Sequence, residues 1–163
     1  MYNNFGDTMK NIVEKLKQLN KTVSTMESCT GGALANEITN IEGASDVIKF
    51  SAITYSNEYK IKMGVEKNII DKYSVYSMET AMEMSKKISE FSNSDYGVGI
   101  TGKLNRMDEN NLFGKDNKVF VSIYDRSGNV CNTYDIEVTK NTRQENKKIV
   151  ISLVIEKLIE IIK

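Results

Sequence analysis

Segments with helical periodicity and segments with strand character take turns along this chain, and that alternation constrains its fold more than any other feature. Met9, Ile12, Val13, Leu16 and Leu19 recur at spacings of three and four, which predicts an amphipathic helix over 8–20 with Asp7 as its N-cap. Residues 22–27 (TVSTME) alternate and are β-branched, so they read as a strand, and 33–39 (ALANEIT) read as a helix. A second strand is predicted over 47–56 (VIKFSAITYS). A short helix follows from Asn57, stopped by Gly64, and Ile69 and Ile70 suggest another helical piece. Ser77 is placed to cap a helix over 78–92, with Met78, Ala81, Met82, Ile88 and Phe91 facing inward. Residues 95–102 (DYGVGITG) read as a buried strand, and 103–117 as a long polar loop. Strands over 118–125 and 130–139 flank a hairpin turn at 126–129. Thr142 and Glu145 form a capping box that opens a last helix running to Lys163, with Ile149, Val150, Leu153, Leu158 and Ile161 as its apolar side.

The resulting order, α β α β α α β β β α, favours an α/β fold: a three-layer α/β/α sandwich with a mixed, mostly parallel sheet, as a single domain over 1–163. In such sheets ligands sit at the carboxyl ends of the strands. Polar residues gather at three such ends: 27–32, 55–60 and 101–102.

Composition narrows the chemistry. The chain has no histidine, which removes Ser-His-Asp triads, Cys-His dyads, HExxH zinc sites and imidazole pH switches. Catalysis must then use Lys, Tyr, Asp, Glu, Ser, Cys or the backbone, with no metal and no cofactor called for. Lys+Arg and Asp+Glu are both 22, so no net positive field exists to collect nucleic acid or an anionic membrane. Cys29 and Cys131 form no CxxC and read as reduced thiols of a cytoplasmic protein. No window approaches 18 consecutive apolar residues, and the N-terminus lacks the apolar core of a signal peptide. The apolar residues of the last helix suit either the core or a homo-oligomer interface.

Two segments hold candidate chemistry. Ser28, at a strand end and followed by Cys29, Thr30, Gly31 and Gly32, has backbone N–H groups nearby that suit an oxyanion or a phosphate; the same pattern also suits a tight turn with Ser or Thr as a cap. Cys29 is an alternative nucleophile if a helix N-terminus lowers its pKa. A serine nucleophile needs a base, and without histidine the choices are a desolvated lysine or a tyrosine. Lys60 and Tyr55, five residues apart across a strand-to-helix junction, are both within reach of one site.

Together these segments resemble the C-terminal domain family of competence/damage-inducible protein A, which includes the stand-alone nicotinamide-nucleotide amidases. The family pattern ESCTGG, a helix, a G[AS]S turn and TYSNxxKxxxLGV is matched by 27–32, 43–45 and 54–60 in order and at the family's spacing. Met63 stands where leucine is usual, and Gly64-Val65 follows. The match is strong over about 8–65 and weaker, but in register, through Ile100-Thr101-Gly102 and Arg143 to the end. The length suits a stand-alone bacterial member without the molybdopterin-binding-like domain that precedes this one in longer proteins.

The resemblance implies an amidohydrolase that converts nicotinamide mononucleotide to nicotinic acid mononucleotide and ammonia. It implies Ser28 as nucleophile, Lys60 as base, and Tyr55 orienting that base or relaying its proton. Thr30, Gly31 and Gly32 would supply backbone and hydroxyl donors, with Glu27 and Asn57 of the same motifs counted as substrate-binding. Thr101 and Gly102 would line the pocket, and Arg143 would bind the substrate phosphate. The alternative is a non-catalytic member of the same fold that binds a nucleotide or a partner protein. The chain departs from the family after Gly102, where IAGPGGG is usual: here Lys103, Arg106 and a run of polar residues replace the glycine-proline loop. Lys103 and Arg106 either bind phosphate in its place or are solvated.

Overall fold

The computed structural model describes residues 5–163, which form six α-helices, one short 3-10 turn and five strands. Helix α1 (Phe5–Leu19) leads into β1 (Val23–Glu27), α2 (Ala33–Thr39), the 3-10 turn Ala44–Asp46 and β2 (Ser51–Ile53). Then come α3 (Asn57–Lys62), α4 (Lys67–Tyr73), α5 (Met78–Ser92) and β3 (Tyr96–Gly102). The hairpin β4 (Lys118–Asp125) and β5 (Val130–Glu137) and helix α6 (Arg143–Ile161) complete the chain.

The strands form one sheet in the order β2-β1-β3-β4-β5. β1 runs parallel to both β2 and β3, whereas β3-β4 and β4-β5 are antiparallel. The sandwich is three-layered and mixed as expected, but only half of its pairings are parallel. The four-residue turn between β4 and β5 leaves no room for the crossover that parallel strands need, and β4 itself returns antiparallel to β3 after the 103–117 loop.

Each face of the sheet has its own core. Met9, Ile12 and Leu16 of α1 and Val150, Val154 and Leu158 of α6 pack with Val98 and Ile100 of β3 on one face. Met26 of β1 packs with Met84 and Ile88 of α5, and with Val65, Ile70 and Val75, on the other. Gly97 and Gly99 point at α5: a Cβ on Gly99 would lie 2.3 Å from the Ala81 carbonyl oxygen, and one on Gly97 2.0 Å from that of Ser85. Those glycines let the helix backbone approach the sheet directly.

Several local expectations are corrected. Asp7 lies in the first turn of α1, not at its cap. The strand expected over 47–56 shrinks to Ser51–Ile53, because β2 is an edge strand and pairs with β1 only from Thr25 to Glu27. Val47 instead ends the 3-10 turn, buried, its carbonyl accepting from Val23 N at 2.8 Å. Phe91 faces outward and stacks beside Phe50 with ring centroids 5.0 Å apart. On α6 the buried stripe is Val150, Ile151, Val154, Ile155 and Leu158, while Ile149, Leu153 and Ile161 are half-buried. A helix this rich in apolar residues offers two competing stripes, and packing chose between them. The caps at Ser77 and Thr142 hold: their hydroxyls accept from Thr80 N and Glu145 N. No described helix is long and apolar enough to cross a membrane.

Candidate active site

The carboxyl ends of the three parallel strands lie side by side, with Glu27 in register with both Ile53 and Ile100. The chain leaves β1 at Ser28, whose N–H donates to the Ile100 carbonyl at 3.0 Å. It leaves β2 at Thr54, whose N–H donates to the Glu27 carbonyl at 2.8 Å. Ser56 then caps α3, its hydroxyl accepting from Tyr59 N at 3.2 Å. Lys60 sits one turn into that helix. Helical side chains lean toward the N-terminus, so its amine is carried back to the strand ends.

Lys60 is 2% exposed, and its Nζ lies 3.0 Å from Ser28 Oγ and 2.7 Å from the Thr54 carbonyl oxygen. It makes no ion pair among the described residues. Burial without a carboxylate penalises the ammonium and pulls its pKa from 10.5 down to about 8. Ser28 itself is 8% exposed. A neutral amine there has a hydrogen for the Thr54 carbonyl and a lone pair for the serine hydroxyl, which is the geometry of a serine and its general base. Cys29 is different. Burial pushes its thiol up to about 12, so it stays protonated near neutrality, and the helix that was to activate it does not offset this.

Both residues open onto a cavity of about 550 Å³. Tyr55, Ser56, Asn57 and Arg143 line it, with Val75 and Tyr76 from the connection between α4 and α5 and Gly102 from the end of β3. The 103–117 loop contributes Lys103, Leu104, Arg106, Met107, Asp108, Asn110 and Asn111. Arg143, the first residue of α6, donates from Nη2 to Tyr55 Oη at 3.0 Å. Tyr55 is thus joined to the arginine and not to Lys60, so its expected place as relay to the base is not the one it occupies. A Cβ on Gly102 would lie 2.5 Å from the Lys118 carbonyl oxygen, which explains glycine at that wall.

Glu27, Thr30, Gly31, Gly32 and Thr101 do not line the cavity. Glu27 is fully buried, and its carboxylate accepts from Thr30 Oγ1 at 2.7 Å, Thr25 Oγ1 at 3.2 Å, and Leu34 N and Ala35 N at 3.0 Å each. It caps α2 from outside, so those first-turn N–H groups are not free for an oxyanion or a phosphate. Thr30 is likewise buried, with its hydroxyl committed to Glu27, and Gly31 N donates to the Ser28 carbonyl at 3.0 Å. Gly31 and Gly32 adopt φ of 61° and 91°, so glycine serves the turn's shape there. Thr101 is buried and donates to the Val75 carbonyl at 2.8 Å. Lys103 is not solvated: it is 3% exposed, pairs with Asp116 at 3.3 Å and lies over the Tyr76 ring. Arg106 is exposed at the cavity edge.

A polar chain that sequence reasoning missed crosses the cavity. Tyr76 Oη donates to Asp108, Asn111 Nδ2 donates to Asp108 at 3.1 Å, and Asn57 Nδ2 donates to Asn111 Oδ1 at 3.3 Å. The Tyr76 and Asn111 bonds hold the Asp108 carboxyl below its usual range; burial and that carboxylate push the Tyr76 phenol up. Nothing in the sequence signalled this, because Tyr76 reads only as the residue before a cap and Asp108 as one of many polar loop residues.

Comparison with known proteins gives the family. The CinA C-terminal domain model matches residues 6–162. The chain belongs to the CinA C-terminal domain family. A CinA-like protein of Kosmotoga olearia is 44% identical over 92 residues, 56% of this chain and 22% of that protein. The chain spans about a quarter of the length of the curated CinA relatives it matches. The crystal structure of a competence/damage inducible protein, CihA, from Agrobacterium tumefaciens is similar at a TM-score of 0.85 and 25% identity, over 96% of this chain and 94% of that one. That of a competence or damage-inducible protein from Enterobacter asburiae gives a TM-score of 0.89 over 99% of both chains; at 20% identity this is a likeness of fold.

Proposed function

We propose that this CinA-family chain is an amidohydrolase that deamidates nicotinamide mononucleotide. The observation that carries the reading is a buried lysine amine without a carboxylate partner among the described residues, 3.0 Å from a serine hydroxyl at a cavity wall. The neutral Lys60 amine takes the Ser28 proton as Ser28 Oγ attacks the carboxamide carbon. Collapse of the tetrahedral adduct breaks the C–N bond, and Lys60 returns the proton to the departing ammonia. A water molecule, deprotonated by the same amine, then attacks the serine ester; the acid leaves and Ser28 recovers its proton. Backbone N–H groups of Cys29 and Thr30, which make no backbone hydrogen bond among the described residues, are the candidate oxyanion donors. Arg143 suits the substrate phosphate, since a guanidinium at a helix N-terminus combines forked donors with favourable dipole.

Ammonia release from nicotinamide mononucleotide tests the reading, with wild type, Ser28→Ala and Lys60→Ala compared. Release by wild type and at least a thousandfold loss in both variants is expected, on the order of the loss when a serine or its base is removed. No release at high enzyme concentration refutes it. One observation favours the alternative, a non-catalytic nucleotide-binding member. The Thr54 carbonyl 2.7 Å from Nζ also stabilises the charged ammonium, which cannot act as a base. Binding of the mononucleotide without turnover is the outcome that selects it.

A further inference from the structure

The cavity carries both signs of charge, each on its own aromatic partner. Arg143 is held on Tyr55, while Asp108 is held on Tyr76. Arg143 and Arg106 have no carboxylate partner among the described residues, and the loop lysine of the cavity, Lys103, is matched by Asp116. Asp108 is the remaining carboxylate. Its three hydrogen bonds come from neutral donors: Tyr76 Oη, Asn111 Nδ2, and Asn110 N at 3.0 Å. Such donors keep a carboxylate ionised without neutralising it, and the one ammonium that acts on it from nearby, Lys103, makes its ion pair with Asp116 instead. It sits beside the Tyr76 ring, which already carries the Lys103 ammonium 5.0 Å from its centroid, so the added selection for a cationic ring falls to the Asp108 carboxylate.

We propose that Asp108 is a specificity-determining residue that selects a ligand whose ring bears a positive charge, with the phosphate of the same ligand going to the arginines. This rests on the mononucleotide reading and sharpens it. Oxidised nicotinamide mononucleotide is a zwitterion with a pyridinium ring and a phosphate. Its reduced form keeps the phosphate and the carboxamide but has an uncharged dihydropyridine ring. Comparing the two isolates the ring charge, because the arginine contacts cancel.

The test is equilibrium binding of the oxidised and reduced mononucleotides by titration calorimetry, on wild type, Asp108→Asn and Tyr76→Phe, with ammonia release measured in parallel. Wild type prefers the oxidised form by about tenfold, the scale of one partly screened charge pair. Asp108→Asn brings the two forms to within about twofold. Tyr76→Phe keeps most of the preference, since it removes the tether but not the charge. If Tyr76→Phe erases the preference as fully as Asp108→Asn does, the role is only to fasten the loop and the proposal falls. Raising salt from about 0.05 M to about 0.5 M must also shrink the wild-type preference, a measurement independent of whether Asp108→Asn folds. Equal wild-type affinities, or no binding of either form, overturn the proposal. A preference without ammonia release sustains Asp108 and sinks the amidase; ammonia release without a preference sinks Asp108 alone.

Discussion

The protonation state of Lys60 has a signature in stability as well as in rate, and the stability signature needs no substrate. In the folded protein the amine titrates near 8, against 10.5 for an unburied lysine. That fall corresponds to about 3 kcal/mol. Below pH 8 both folded and unfolded chains hold the proton, so the whole cost of the buried ammonium weighs against folding. Between about 8 and 10.5 the unfolded chain still binds the proton and the folded one does not, so stability rises with pH. Lys60→Met removes the titrating group at similar volume. It also leaves the Thr54 carbonyl short of a donor, which costs about 1–3 kcal/mol at every pH. Its net effect at pH 7 is therefore a difference of comparable numbers, but its pH dependence is clean. Thermal unfolding of both proteins from pH 7 to 10.5 is the assay. At about 2–4 °C per kcal/mol for a chain of this size, the wild-type Tm should gain about 6–12 °C on Lys60→Met across that range. A difference that stays flat with pH means the amine keeps an ordinary pKa, and the neutral base on which the serine chemistry depends is absent.

Two further outcomes are expected. If Lys60 acts as base in its neutral form, kcat/KM for ammonia release climbs about ninefold from pH 7 to pH 9, because a group with pKa about 8 goes from about one-tenth to about nine-tenths neutral; a profile falling over that range excludes it. Glu27→Ala strips a buried acceptor from two helix N–H groups and two hydroxyls, and should lower stability by about 3–5 kcal/mol in urea unfolding; a loss under about 1 kcal/mol contradicts the capping role.

What was legible in the sequence follows physical lines. The long periodic helices, the hydroxyl caps at Ser77 and Thr142 and the hairpin turn are local codes, and each lies where its residues direct it. The extent of β2 was not local: its residues suit a strand throughout, but only three find a partner along β1. Ser28, Lys60 and Arg143 were singled out through family-like motifs, and the fold brings all three to one cavity. Glu27 and Thr30 belong to the same motif yet serve the turn from behind, because a motif records which residues occur together and not which way they face. The Tyr76–Asp108 link depends on where a fifteen-residue loop crosses the cavity, and no periodicity encodes that.

The strand that delivers Thr54 and Lys60 lies at the margin of the sheet and is fastened through only three residues. Marginal strands fray with far less effort than the interior of a fold, where β3 is flanked on both sides. Serine and lysine would therefore part company while the helices and the central strands remain intact. We expect warmth or mild denaturant to part these two side chains, and to end any ammonia release, before the rest of the chain unfolds.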